Sequence, residues 1–81
     1  MACEIEFRWK SDKEEVLNSA SKFVESIVKN IGGSAVCSLE GNEYKAIIKT
    51  DCSYWKEEIL LSNKALQPPM PFYTNVKRDK N

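Results

Sequence analysis

In a chain of 81 residues without a single histidine, catalytic chemistry would fall to carboxylates, thiols, lysines and tyrosines. Glu4 and Glu6 stand two apart and so share one face of a strand, a geometry that a two-carboxylate mechanism or a metal could use. With Arg8, Lys45 and Lys49 on the same face, they read instead as solvated cross-strand pairs. Cys52 falls at the expected start of a helix, where the helix dipole lowers a thiol pKa, and that position is its whole claim to reactivity. The three glycines sit at a helix end and a hairpin turn, which leaves no phosphate-cradling loop of the P-loop or Rossmann type. The expectation is therefore a protein that is not an enzyme, with no catalytic residue, cofactor, metal site or small-molecule substrate.

Composition narrows the class further. Twelve Lys plus Arg balance twelve Asp plus Glu, which argues against a protein that holds a duplex mainly by neutralising phosphates. Hydrophobic residues at 42% and charged residues at 30% suit one soluble globular domain, and this length supports a single core. The longest aliphatic run, Ile59-Leu60-Leu61, is far too short for a membrane span, and Met1-Ala2-Cys3-Glu4 does not open a secretory signal. A cytoplasmic location is expected. Cys3, Cys37 and Cys52 have neither CxxC spacing nor the even count of a disulfide framework, so reduced structural thiols are the first reading.

The elements that must position these residues follow from periodicity. Cys3, Ile5, Phe7 and Trp9 alternate with Glu4, Glu6, Arg8 and Lys10, the pattern of a half-buried strand. Ser11 and Glu14 form a Ser-x-x-Glu capping box, and apolar residues from Val16 to Ile31 follow at helical spacing until Gly32-Gly33 ends the helix. Ser34 to Glu40 and Glu43 to Thr50 read as strands joined by a Gly41-Asn42 turn. One register satisfies both turn and pattern: Glu40 faces Glu43, Leu39 faces Tyr44, Cys37 faces Ala46 and Val36 faces Ile47. Cys37 is expected to be buried opposite Ala46. A second helix, capped by Asp51 or Ser53, is expected to run to about Gln67, where Pro68, Pro69 and Pro71 end it. Phe72, Thr74 and Val76 alternate with Tyr73, Asn75 and Lys77 as a short last strand.

This order predicts an α+β fold, a ferredoxin-like split βαβ sandwich with an antiparallel sheet and two helices on one face. Residues 1–67 form the core domain, and 68–81 are a Pro-rich C-terminal segment, a last edge strand and polar tail of the same domain. In that sheet the end of the third strand lies beside the start of the first, which makes Cys3–Cys52 the one bridge the topology favours.

Two surfaces then invite partners. Val36 and Ile47 form an apolar spot on the otherwise polar open face of the sheet, beside an edge strand, and Met70, Phe72 and Tyr73 offer contact area on a proline-stiffened segment. These five are the candidate protein-binding residues, for a protein partner or a second copy in a homodimer. Arg8, Lys10, Lys45, Lys49 and Lys77 gather on the same open face and are the candidate residues of the alternative, single-stranded RNA or other nucleic-acid binding.

The stretch from Gly33 to Leu66, with its Gly-Asn turn, Ile47-Ile48-Lys49-Thr50-Asp51 and Ser53-Tyr54-Trp55-Lys56, faintly resembles the small dimeric scaffold subunit of the KEOPS tRNA-modification complex. The resemblance implies a βαββα core and a non-catalytic scaffold role in an assembly that modifies tRNA. The family's second helix typically opens with an acid followed by a Leu-Arg pair, for which this chain offers Asp51 and Trp55-Lys56. The proline-aromatic extension from Pro68 onward has no counterpart in that family.

Overall fold

Alternating burial along the first strand organises the whole molecule. The computed structural model of the protein describes residues 2–51 and 69–78. Strand β1 (Ala2–Lys10) buries Cys3, Ile5, Phe7 and Trp9 on one face and turns Glu4, Glu6, Arg8 and Lys10 to the other. Helix α1 (Glu14–Ile31) lays Ala20, Phe23, Val24 and Ile27 on that apolar face, the spacing of one helical stripe. Strands β2 (Ser34–Glu40), β3 (Glu43–Asp51) and β4 (Tyr73–Arg78) complete an antiparallel sheet of order β2-β3-β1-β4. The result is a small α+β domain with one described helix and a four-stranded sheet.

Ala46 and Ile48 of β3 close the core against β1 and α1. An aromatic cluster fills its wide end: Trp9 lies 5.6 Å from Phe7 and 6.0 Å from both Phe23 and Tyr44, centroid to centroid. The Phe7 and Trp9 contacts with Phe23 are edge-on, the arrangement favoured by ring quadrupoles.

The hairpin register is the expected one throughout, from Glu40 opposite Glu43 to Ala35 opposite Ile48, and Gly41 takes a positive φ of 59°. Gly32 caps α1 in the left-handed region, its N–H donating to the Val28 carbonyl. Gly33 has a different job. A Cβ there would stand 2.4 Å from the Lys49 carbonyl oxygen, so the chain passes β3 too closely for any side chain.

Three expectations need correction. The capping box does not form: α1 starts from Lys13, and the Ser11 hydroxyl accepts from the Lys13 N–H at 3.0 Å. That bond two residues on competes with the three-residue reach of a cap. Cys37 faces Ala46 as expected but is exposed, not buried. A helix about 10 Å across covers roughly two strands spaced about 4.8 Å apart, and α1 packs chiefly on β3, touching β1 and the Ala35 end of β2 but leaving the outer side of Cys37 and Leu39 in solvent. Finally, the cysteines are not all reduced thiols, since Cys3 is disulfide-bonded and Cys37 is free. Cys52, the expected partner of Cys3, and the expected second helix lie outside the described residues; Asp51 ends β3. The end of β3 does pair with the start of β1, with Cys3 opposite Thr50.

Candidate interaction surface

The open face of the sheet is built in rows that the register fixes. Ser34, Lys49, Glu4 and Lys77 form one row across the four strands, and Val36, Ile47, Glu6 and Asn75 the next. Ser38, Lys45, Arg8 and Tyr73 follow. All five basic candidates thus lie on one face, with Lys10, exposed at the end of β1, opposite Glu43. They do not form a continuous positive field. Glu4 stands between Lys49 and Lys77, and the Glu6 carboxylate accepts from the Arg8 Nε at 2.5 Å. That hydrogen bond raises the Arg8 pKa above its usual value, against a smaller opposing effect of burial. The Arg8 guanidinium also stacks over the Tyr73 ring, 4.6 Å from its centroid. Tyr73, the single aromatic on this face among the described residues, is therefore occupied by a neighbour.

The apolar candidates divide into two groups. Val36 is 67% exposed and sits beside half-buried Ile47 at the β2 edge. Met70, Phe72 and Tyr73, all exposed, belong to the β4 side, three strand spacings or about 14 Å away. The two candidate contacts therefore lie at opposite edges of the sheet.

At the β4 side the proline segment packs back on the domain. The buried Trp9 indole N–H donates to the Pro69 carbonyl at 2.8 Å, and the Phe72 N–H donates to the Arg8 carbonyl at 2.9 Å. These bonds fix the strap over the aromatic cluster and leave the Met70 side chain projecting, 91% exposed.

The β2 side is different in character. Leu39, on the helix-facing side of β2, is 58% exposed, and Cys37 beside it is exposed too. Sequence reasoning missed both because parity alone assigns them inward; the signal that would have found them is an edge strand beyond the width of one helix. Between α1 and β2 runs an apolar groove of about 450 Å³, floored by Val24, Val28, Ala35 and Cys37 with Tyr44 and Ser21 at its sides. The Tyr44 phenol is pushed up to about 12, first by burial and then by hydrogen bonding with the Cys37 side chain.

Among the described residues no group of three or more carboxylates and thiols is placed to hold a metal ion, and no helix is long and apolar enough to cross a membrane. No family model and no curated protein matches the chain.

Proposed function

We propose that the chain is a small non-enzymatic interaction or assembly subunit that engages a protein partner, a second copy included, chiefly through the edge strand β2. One observation carries the reading: a seven-residue strand with no neighbour on its outer side among the described residues exposes large apolar groups on both faces, Val36 on one and Leu39 on the other. Natural edge strands are usually blunted by lysine, proline or a bulge; β2 holds no proline, and its single charge, Glu40, stands at its end.

In the same reading the fold is of the ferredoxin-like split βαβ kind, supported by the strand order β2-β3-β1-β4 with α1 as the first crossover. The resemblance to the KEOPS scaffold subunit accords with a role of this class. The cysteine count and spacing support a cytoplasmic setting, whereas the disulfide at Cys3 weighs against it, since such bonds persist in oxidising compartments.

The nucleic-acid alternative draws its support from the row in which Lys45, Arg8 and Tyr73 adjoin. Interleaved Glu4, Glu6 and Glu43, and the engagement of Arg8 and Tyr73 with each other, favour the protein-binding reading. Affinity capture from the native cell tests it: a chain carrying Val36→Lys and Leu39→Lys is expected to lose the proteins that the unaltered chain retains. An unchanged set of captured proteins, or strongly salt-dependent RNA binding lost in Lys45→Glu with Lys49→Glu, counts against it.

A further inference from the structure

We infer that the occupant of the β2 edge is a second copy of this chain, paired antiparallel with β2 in a two-fold register centred on Cys37. This rests on the reading of β2 as the interaction edge and specifies its partner.

The backbone supplies the first argument. A two-residue turn makes Glu40 and Glu43 a hydrogen-bonded pair, and the alternation of an antiparallel ladder then turns the N–H and C=O groups of Glu40, Ser38 and Val36 toward β3. Those of Ala35, Cys37 and Leu39 point outward to the free edge. Three donors and three acceptors thus stand along one seven-residue strand in the order that an antiparallel copy of the strand would satisfy.

Side chains select the register. Centring the two-fold on Cys37 uses the whole strand and sets Ala35 beside Leu39 of the second copy on the helix side, and Val36 beside its Ser38 on the open face. Small residues therefore meet large ones. Ser34 meets Glu40 of the second copy, and across that small serine Lys49 shares a row with both Glu40 and Glu43 of the second copy. A base faces two acids at each end of the joint, and the symmetry makes it happen twice. The two-fold axis, normal to the sheet, puts both α1 helices on one side, with their apolar grooves facing across the axis. Glu25 and Lys29 on the groove rim carry opposite charges, so the rim is neutral toward its own copy.

Cys37 makes the register measurable, because it is free, exposed and, in this pairing, directly opposite itself at about 5.5 Å between Cα atoms. Light scattering of the full chain is expected to give a dimer, and a short bis-maleimide is expected to link it through Cys37, with no linkage in Cys37→Ser. Leu39→Lys, at a side chain already in solvent, is expected to yield a folded monomer. Because it tests the edge without touching the β2–β3 ladder, circular dichroism can confirm that the fold is kept. A monomer at every concentration, or a dimer that does not link at Cys37, overturns the inference. If the unaltered chain is monomeric yet loses a captured protein through Val36→Lys and Leu39→Lys, self-pairing falls while the edge reading stands. If neither assay responds, both fall.

Discussion

Trp9 and Pro69, sixty positions apart, are joined by a 2.8 Å hydrogen bond from the indole N–H to the proline carbonyl. Trp9 is almost wholly buried, so its N–H would otherwise be an unpaired donor in an apolar cluster. The bond explains why a segment rich in proline and exposed apolar groups stays on the domain. Trp9→Phe removes the donor and part of the ring volume together. It is expected to lower stability by about 1–3 kcal/mol in denaturant titrations. Chymotryptic cleavage after Phe72 or Tyr73 is expected to quicken. Unchanged stability together with unchanged cleavage would show that the bond does not hold the strap.

Gly32 and Gly33 are adjacent but required for different reasons, and substitution separates them. At Gly32 the surroundings are open and only the φ of 70° opposes a side chain, so Gly32→Asn is expected to be tolerated and Gly32→Ala to cost about 1 kcal/mol. At Gly33 a Cβ collides with the Lys49 carbonyl, and relief requires β3 to shift. Gly33→Ala is expected to cost about 2–3 kcal/mol, as overpacking of a close contact does. Equal thermal shifts for the two alanine variants would refute the distinction.

Thiol chemistry gives a third test. Cys37 is exposed and free, whereas Cys3 is buried and disulfide-bonded. In dilute native protein without reductant, a maleimide followed by peptide mapping is expected to modify Cys37 and to spare Cys3. Reduction in denaturant should then expose Cys3 to the reagent. Modification of Cys3 in the unreduced chain would contradict the bridge.

What could be read from the sequence was whatever local pattern and turn chemistry decide together. The hairpin register was legible because the Gly41-Asn42 turn and the alternation of its strands point to one pairing, and the same alternation located the faces of β1. The start of α1 was misjudged because the Ser11 hydroxyl can reach more than one N–H, and no pattern ranks the choices. Exposure of Cys37 and Leu39 depended on the width of a helix relative to a sheet, a tertiary quantity. The Trp9–Pro69 bond had no local signature at all. As for the candidate surface, Val36 at an edge and Met70 and Phe72 as a second contact followed from register and from the proline-stiffened segment, but the docking of that segment on Trp9 and Arg8 did not.

Tyr44 links packing to pH. Its phenol borders the groove beside Cys37, and burial, aided by hydrogen bonding with that thiol, lifts its pKa from the ordinary 10.0 to about 12. The folded domain therefore keeps a proton that the unfolded chain releases near pH 10. Below that pH the contribution to stability is fully present. As pH rises from about 10 to about 12, unfolding releases a proton and stability falls; beyond the folded-state pKa the contribution is gone. Because the side chain is only half-buried, solvent screening keeps the effect modest. Tyr44→Phe removes the ionisation, and its stability is expected to change less over this window than that of the unaltered chain. Ultraviolet difference titration should show a tyrosinate forming near pH 12 that the variant lacks. Ionisation of every tyrosine near pH 10 in the folded protein would mean that the phenol is not held in the groove.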